Sequence, residues 1–297
     1  PALPPELLPA DPRFGCGPSK VRPGQIDAIV AGSRAIIGTS HRQPAVKNVV
    51  GSIRAGLAEL FALPAGYEIV CSLGGATAFW DAATFGLIAK KSGHLAFGEF
   101  SAKFAATSAK APWLDEPTVI SAEPGDAPAP QAMPGCDVIA WAHNETSTGA
   151  MVPITRPAGS EGSLVVIDAT SGAGGLPVDM SQADVYYFSP QKCFASDGGL
   201  WFAAMSPAAL ERIAEINASD RFIPEFLNLQ TAVDNSRKNQ TYNTPAVATL
   251  LMLEDQVKWM NDNGGLAGMV ARSTANSGTL YDWANQREEV SCFVSDP

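Results

Sequence analysis

The sequence has few basic residues, few cysteines and no long apolar run. Its 297 residues include 20 lysines and arginines against 30 aspartates and glutamates, which gives a formal net charge of -10. A protein of this charge lacks the basic surface with which nucleic-acid-binding proteins contact phosphates. We therefore expect no nucleic-acid partner, and any anion that the protein binds must be held by a few local cations.

The cysteines and the apolar segments exclude further classes of protein. The five cysteines are scattered and form no Cys-x-x-Cys pair, so no metal site is expected and a reducing cytoplasm fits them best. The proline-rich amino terminus lacks the basic and apolar segments of a signal peptide, and no run of about eighteen apolar residues occurs. We expect a soluble cytoplasmic protein with no membrane partner.

Short apolar runs alternate with stretches of helical spacing along most of the chain. This alternation is typical of βα units around a mostly parallel sheet. The sequence therefore predicts an α/β fold whose large domain, residues 15–245, has helices on both sides of such a sheet. The expected strands are residues 67–73, 136–143, 163–169, 184–189 and 199–205, and the expected helices are residues 23–36, 45–61, 77–91 and 207–216.

The pattern changes in the last part of the chain. From Thr244 to about residue 286 it is helical, and an edge strand is expected at EEVSCFV, residues 288–294. The sequence stops just after this strand, so we expect a smaller α+β carboxy-terminal domain that is incomplete here. Residues 1–14 and 246–297 are assigned to this small domain.

Polar or flexible residues follow several of the expected strands, at the positions where α/β sheets collect their ligands. After strand 67–73, Gly75, Ala76 and Thr77 open a helix whose free N–H groups can hold a phosphate. A plain strand-to-helix turn is the alternative there. Asp168 ends another strand, where a buried carboxylate needs a cation or strong donors. A turn-forming or capping aspartate is the commoner case at such a position.

Lys192 follows the next expected strand along the chain. An acid and a lysine placed in this way are able to grip both ends of one flat ring. The lysine would bond an aldehyde carbon, and Asp168 would keep the ring nitrogen protonated so that the ring accepts electrons. An ordinary solvated lysine is the alternative. Thr146, in the loop after strand 136–143, is placed to hydrogen-bond a ring hydroxyl.

Five segments carry a family resemblance: GGATAFWD, HNETSTG, VVIDATSGAGG, FSPQKCFASDGG and TYNTPAVAT. In this order and spacing, from about residue 14 to about residue 265, they resemble the phosphoserine aminotransferases, which are pyridoxal-phosphate enzymes of the class V aminotransferase group and fold type I. The resemblance implies transamination between glutamate and 3-phosphohydroxypyruvate, giving phosphoserine and 2-oxoglutarate in serine biosynthesis. It also implies pyridoxal 5'-phosphate as the cofactor.

The resemblance assigns roles to the residues around the ring. Lys192 matches the Schiff-base lysine of the family, Asp168 the partner of the ring nitrogen and Thr146 the contact to the ring hydroxyl. Gln191 matches a ligand of the cofactor phosphate. By position, Phe100 stacks on the ring, where many relatives have tryptophan.

The phosphate and substrate sites complete the implied set. The turn of Gly75, Ala76 and Thr77 matches the phosphate-binding turn of the family. Asn243 and Thr244 are implied to reach the cofactor phosphate of the second subunit of a homodimer. From the residues alone, the Asn-Thr-Pro sequence that they begin is typical of an ordinary helix start.

Substrate binding is implied for His41 and Arg42. A guanidinium engages a phosphate or carboxylate through two hydrogen bonds, and a protonated imidazole adds a charge. A solvated surface pair is the alternative. Two departures from the family matter. Thr77 stands where many relatives have arginine, so another cation must take its role, with His41, Arg42, Lys20 and Lys103 as candidates. The family's carboxylate-binding arginine falls beyond the end of this sequence.

Three other functions stay open at this point, two of them enzymatic. A serine-glyoxylate type aminotransferase or a cysteine desulfurase has the same fold. A desulfurase needs an activated thiolate near the cofactor, and the side chain of Cys193, beside Lys192, is expected to point elsewhere. Outside the enzymes, the alternative is an α/β module that binds a phosphorylated ligand at the GGAT turn without chemistry.

Overall fold

The computed structural model describes Pro5, Leu8 and residues 15–295. Within these residues seven strands form one sheet, and eight helices surround it. The strands are β1 (Glu68–Leu73), β2 (Ser92–Ala96), β3 (Thr118–Ser121), β4 (Val138–Ala142), β5 (Leu164–Asp168), β6 (Val185–Phe188) and β7 (Leu200–Met205). The helices are α1 (Pro23–Gly32), α2 (Pro44–Leu60), α3 (Gly75–Gly86), α4 (Glu99–Ala109), α5 (Pro207–Asn217), α6 (Leu229–Arg237), α7 (Val247–Asp262) and α8 (Gly265–Asn285).

The sheet is mostly parallel, as the sequence predicts. Its strand order is β1-β7-β6-β5-β4-β2-β3. Strand β7 pairs antiparallel with both of its neighbours, and the remaining neighbours in this order pair parallel to each other. In the register of the central strands, Ala142 lies beside Asp168, and Asp168 lies beside Tyr187. The carboxyl ends of β4, β5 and β6 therefore meet at one edge of the sheet.

The side chains of each strand alternate between two apolar layers. On β1, Ile69 and Cys71 belong to the layer that also contains residues of α2 and α7, while Val70 belongs to the layer with residues of α3 and α6. This alternation follows from the two-residue period of a strand. Helix α8 packs on α7, and its Met269 belongs to the first layer. The sheet thus has helices on both faces, which confirms the predicted α/β class.

Local sequence signals explain where several helices begin. Helix α2 begins at Pro44, because proline suits the first helical position, and buries apolar residues at helical spacing, among them Val46, Val49 and Ile53. Helix α5 begins at Pro207 after Ser206, whose hydroxyl accepts a hydrogen bond from the backbone N–H of Ala209. Ser206 thus caps helix α5.

Several expected boundaries are wrong. The helix expected at residues 23–36 ends at Gly32, and the one expected at residues 77–91 begins at Gly75 and ends at Gly86. The residues just after Lys91 form strand β2 instead. Helix α3 begins early because Gly74, at φ 98°, takes the left-handed conformation that turns the chain from β1 into the helix.

The expected strand at residues 288–294 is also wrong. In the described part of the chain these residues form turns and irregular backbone, and they pair with no strand. Val294 is buried against the core, while Phe293 is exposed. The backbone N–H of Ser295 donates a hydrogen bond to Gly125 O at 3.1 Å. The alternating apolar residues therefore bury the side chain of Val294 but form no strand, because no partner strand lies beside them in the described part of the chain.

The division into two domains stays a prediction. Most of the amino-terminal segment 1–14 lies outside the described residues. Helix α7, assigned to the small domain, buries Leu250, Leu253 and Val257 in the same apolar layer as α2. None of the described helices combines the length and the apolar character needed to cross a membrane.

Candidate active site

A cleft of about 380 Å³ lies at the carboxyl ends of β1, β4, β5 and β6. A cavity of this size is in the range that holds small-molecule ligands. Strands β4 and β5 contribute Ala142 and Asp168 to its wall, and the residues directly after β1 and β6, Gly74 and Ser189, also line it. Eight of the residues predicted from the sequence line the cleft, namely Gly75, Ala76, Thr77, Phe100, Thr146, Asp168, Gln191 and Lys192.

The amino terminus of α3 forms one wall of the cleft. Gly74 and Gly75 have φ angles of 98° and 68°, which are strained for any residue with a side chain, so glycine is required for this turn. The first turn of α3 contains no acidic residue, and no side chain caps it. Its free backbone N–H groups and the helix dipole therefore favour an anion at this wall.

Gln191 lies near that wall and supplies a second polar group. Its Oε1 is buried and has no hydrogen-bond partner among the described residues. Because a side-chain amide is able to turn over, either its oxygen or its nitrogen faces a ligand. A buried amide without a partner is costly, and a polar ligand in the cleft would remove that cost.

Asp168 ends β5 on the floor of the cleft and is held by three donors. Its Oδ1 accepts from the backbone N–H of Thr170 at 2.9 Å. Its Oδ2 accepts from Trp80 Nε1 at 3.3 Å and from the Tyr187 hydroxyl at 3.1 Å. Burial raises the pKa of the Asp168 carboxyl, and hydrogen bonds from Thr170, Trp80 and Tyr187 oppose that rise.

Trp80 and Tyr187 are site residues that sequence reasoning missed. They also contact each other, since Trp80 Nε1 donates to the Tyr187 hydroxyl at 2.9 Å. The requirement that a buried carboxylate must have donors indicated that partners exist, but not which residues they are. Both lie in segments that are typical of an apolar core. The contacts of the Trp80 Nε1 and Tyr187 hydroxyl groups with Asp168 become evident only from the folded structure.

Lys192 lies in the loop after β6, beside the amino-terminal segment. Its Nζ donates a hydrogen bond to the carbonyl oxygen of Cys16 at 2.9 Å. A Cβ added at Gly17 would lie 2.7 Å from Cδ and 2.8 Å from Nζ of Lys192. The backbone N–H of Ser19 donates to Gln191 O at 2.7 Å. The segment around Gly17 therefore covers the lysine, a contact that no feature of the sequence indicates.

Phe100 and Thr146 approach the cleft from two different elements. Phe100 lies in the first turn of α4 and is 38% exposed, and Thr146 lies in the loop after β4. Lys103 lies 5.7 Å from the centroid of the Phe100 ring and forms an ion pair with Glu99 at 2.8 Å. Lys103 is thus engaged at the surface of α4 and does not line the cleft.

The other four predicted site residues do not line this cleft. His41 is buried and its Nδ1 lies 3.2 Å from the Thr244 hydroxyl oxygen. Arg42 and Asn243 are exposed. Helix α7 begins at Val247 after the cap position Ala246, so the segment from Asn243 is not the start of a helix. These residues serve a site of the predicted kind only if a second subunit brings them to it.

The expected charge of His41 is not supported. Burial lowers the pKa of its imidazole, and the positive charge of Arg42 lowers it further. The neutral imidazole is therefore favoured near neutral pH in this structure, contrary to the protonated form expected from the sequence. The Nε2 atom of His41 has no hydrogen-bond partner in the described chain.

Cys193 does not line the cleft. Its Sγ lies 3.9 Å from the carbonyl oxygen of Ser171, and burial raises the pKa of its thiol. A protonated thiol outside the cleft is unsuited to attack a bound substrate. Between residues 15 and 295, no group of three or more His, Cys, Asp or Glu side chains is arranged to hold a metal ion.

Comparisons with known proteins agree with one another. Residues 126–297 match the family Aminotransferase class-V. The chain is 79% identical over 296 residues to a phosphoserine aminotransferase from Corynebacterium glutamicum, covering 100% of this chain and 79% of the relative. It is 61% identical to another from Nocardioides sp., covering 99% of this chain and 79% of the relative. Among solved structures, a phosphoserine aminotransferase from Cytophaga hutchinsonii superimposes with a TM-score of 0.88 at 23% identity, covering 95% of this chain and 80% of that one.

Proposed function

We infer the function of the cleft from the fact that this chain belongs to the phosphoserine aminotransferase family, within aminotransferase class V. Its activity is the transamination that characterises this family, a pyridoxal-phosphate-dependent step of serine biosynthesis. Glutamate gives its amino group and becomes 2-oxoglutarate, while 3-phosphohydroxypyruvate becomes phosphoserine. Which residues of this chain carry out the reaction is our proposal.

The cleft fits pyridoxal phosphate at both ends. A phosphate fits the amino terminus of α3, where Ala76 and Thr77 offer backbone N–H groups in a turn without acidic residues. The unpartnered amide of Gln191 supports the same assignment. At the other end, Asp168 keeps its carboxylate among hydrogen-bond donors, which suits a proton on the ring nitrogen. Phe100 would contact the ring face and Thr146 the ring hydroxyl.

When bound, the cofactor supplies a ring that accepts the electron pair left on the substrate Cα. Lys192 supplies the amine that holds the cofactor through its aldehyde carbon. Lys192 Nζ would also act as the general base and acid that carries a proton between the substrate Cα and the aldehyde carbon of the cofactor. The carbonyl oxygen of Cys16, 2.9 Å from Nζ, gives the freed amine a hydrogen-bond partner on this side of the cleft. Asp168 holds the proton on the ring nitrogen throughout.

Substrate binding and the remaining phosphate contacts are assigned to a second copy of the chain. Asn243 and Thr244 would reach the partner's cofactor phosphate, and His41 and Arg42 would bind the phosphorylated substrate. The contact between His41 and Thr244 supports the view that these residues act together. Thr77 stands where many relatives have a cation, so Arg42 is the strongest candidate to provide that positive charge in this chain.

The observation that carries the proposal is that Asp168 and Lys192 line one cleft, which ends at the amino terminus of α3. Incubation of the purified chain with pyridoxal phosphate should give a visible absorbance band that borohydride abolishes. Glutamate and 3-phosphohydroxypyruvate should then be converted to phosphoserine, with glyoxylate and pyruvate as poorer acceptors. Turnover that is equal with the unphosphorylated acceptors would contradict the substrate assignment.

The rival activities lose support. A relative named as a phosphoserine aminotransferase is 79% identical over 296 residues, which favours this activity over a serine-glyoxylate type enzyme. The position of Cys193 argues against a desulfurase, because its thiol does not line the cleft. Release of sulfide from cysteine, measured beside transamination, separates the two: we expect transamination alone.

A further inference from the structure

Glu145 is a buried carboxylate between two residues of the cleft wall. Its exposure is 0%, and it directly precedes Thr146 in the loop after β4. It also accepts a hydrogen bond from the backbone N–H of Phe100, 45 residues earlier in the chain. One side chain thus contacts the segments that carry both Thr146 and Phe100.

Only N–H and O–H donors surround this carboxylate in the described chain. Its Oε2 accepts from the backbone N–H and the hydroxyl of Ser101, at 2.9 and 2.8 Å. Its Oε1 accepts from the hydroxyl of Ser147 at 2.9 Å and from the backbone N–H groups of Ser147 and Phe100 at 3.3 Å. A carboxylate held by several donors is fixed in its orientation as well as solvated.

The same residue closes the loop that carries Thr146. The backbone N–H of Glu145 donates to Ala150 O at 2.9 Å, and its carbonyl oxygen accepts from Gly149 N at 2.8 Å and Thr148 N at 3.2 Å. The hydroxyl of Ser147 accepts a hydrogen bond from the backbone N–H of Glu99 at 2.9 Å. The loop and the start of α4 are therefore one hydrogen-bonded unit centred on Glu145.

Helix α4 depends on this carboxylate at its amino terminus. Its cap residue is Gly98, which has no side chain to bond the first N–H groups of the helix. Glu145 bonds two of these groups instead, those of Phe100 and Ser101. A Cβ added at Gly98 would collide with Glu145 Cγ and Ser147 Oγ, so the glycine leaves room for the carboxylate. A negative charge at this end of the helix is favourable.

We propose that Glu145 is a positioning residue that sets the Phe100 ring and the Thr146 side chain at the distance a flat cofactor requires. This rests on the proposed function, because it assumes that pyridoxal phosphate occupies the cleft. Glu145 does not line the cleft itself and acts through its neighbours. A loop held only by its own backbone would let the two contact residues move independently.

The test compares cofactor binding of the wild type, Glu145→Gln, Phe100→Ala and the double variant. Glutamine keeps the shape of the side chain but turns an NH₂ group towards donors, so hydrogen bonds to Phe100 or Ser101 are lost. We expect the Kd for pyridoxal phosphate to rise about tenfold or more, the equivalent of one lost hydrogen bond to a charged group. The circular dichroism of the bound cofactor band should also change, because it reports the orientation of the ring.

The double variant separates positioning from general destabilisation. If Glu145 acts partly through the Phe100 ring, the effects of the two substitutions on the cofactor Kd are not independent. The Kd of the double variant should then be at least about threefold lower than the value obtained by multiplying the two single-variant increases. Effects that multiply fully would overturn the proposal, as would a Glu145→Gln protein with wild-type affinity and dichroism. A wild type that forms no cofactor band would instead refute the proposed function.

Asp184 provides a control, since it is a second buried carboxylate with backbone and serine donors, although it also forms an ion pair with Arg156. Its buried carboxylate accepts from Val165 N at 2.8 Å and from the Ser206 hydroxyl at 2.9 Å, but it precedes β6, whereas the cleft lies at the other end of that strand. Asp184→Asn should lower the melting temperature of the cofactor-free protein without changing the cofactor Kd. If it weakens cofactor binding as much as Glu145→Gln does, the positioning role is wrong.

Milder variants keep the proposal testable if Glu145→Gln does not fold. Ser101→Ala and Ser147→Ala each remove one hydroxyl donor to the carboxylate. Each should weaken cofactor binding by about threefold to tenfold, because the carboxylate loses one hydroxyl donor and keeps its other donors. Unchanged cofactor affinity in both serine variants would overturn the proposal.

Discussion

The Tyr187 hydroxyl offers a direct test of how the protein keeps Asp168 ionised. It donates to Asp168 Oδ2 at 3.1 Å, and its ring stacks on Phe79 with the centroids 4.1 Å apart. Burial and the neighbouring carboxylate raise the pKa of Tyr187, so the hydroxyl stays protonated and remains a donor. The substitution Tyr187→Phe keeps the ring and removes the hydroxyl, so it deletes the hydrogen bond to Asp168 and the one that Trp80 Nε1 donates to the hydroxyl.

The size of the effect depends on the charge of Asp168. A hydrogen bond to a charged group contributes about 1.5–3 kcal/mol, and one between neutral groups about 0.5–1.5 kcal/mol. Because the folded-state pKa of Asp168 is raised above its unfolded value, the folded state holds the proton longer as pH rises. The free-energy cost of burying the charged Asp168 carboxylate is therefore absent below the pKa of Asp168 in the unfolded state. It is fully present above the pKa of Asp168 in the folded state. Tyr187→Phe should raise the folded-state pKa of Asp168 further. Stability should then continue to fall up to a higher pH than in the wild type.

Urea unfolding of the cofactor-free protein between about pH 8 and pH 5 measures this effect. We expect Tyr187→Phe to lower the free energy of unfolding by about 2 kcal/mol at the higher pH, and by about 1 kcal/mol less as Asp168 takes up its proton.

The neighbouring Tyr186→Phe is the matched control. The Tyr186 hydroxyl lies 3.3 Å from His143 Nδ1, and burial lowers the pKa of that imidazole to about 4, so its charge does not change in this range. Equal and pH-independent losses in the two variants would refute the hydrogen bond to an ionised Asp168.

Three further predictions concern other parts of the site. Gly17→Ala should slow cofactor loading, because the new Cβ would lie 2.7 Å from Lys192 Cδ, whereas Gly278→Ala, with open space around it, should load normally; equal loading rates would contradict the contact. Arg42→Ala should raise the KM for 3-phosphohydroxypyruvate about tenfold or more with little change in cofactor Kd, and an unchanged KM would remove Arg42 from the substrate site. Cys193→Ala should keep full transamination, and loss of turnover would reopen a role for the thiol.

The fold was predictable where burial is complete. Strands β4 and β6 are fully buried, and their continuous apolar sequences identify them without further information. Strand β2 was missed because Ser92 and His94 read as polar, although both are buried and hydrogen-bond to each other at 2.9 Å. Strand β3 lies at the sheet edge and alternates between partly buried and exposed residues, so its apolar signal is weak.

The candidate site was predictable where a residue carries a charge that is costly to bury. A lone lysine and a carboxylate after consecutive strands indicated Lys192 and Asp168, because both are costly to bury without a ligand or donors. Trp80 and Tyr187 could not be predicted, since their apolar bodies fit an ordinary core and only the strand register brings their polar atoms to Asp168. The role of Glu145 could not be predicted, because two of its partners, Phe100 and Ser101, lie in a helix 45 and 44 residues earlier in the chain.

The most direct test of the account is the site of covalent attachment of pyridoxal phosphate. The loaded protein is reduced with borohydride and digested, and mass spectrometry locates the modified lysine, with Lys192→Ala as the control. We expect one modified peptide, containing Lys192, in the wild type and none in the Lys192→Ala variant. Modification of a different lysine in the wild type, or an equal yield from Lys192→Ala, would contradict the claim that this cleft holds the cofactor between Asp168 and Lys192.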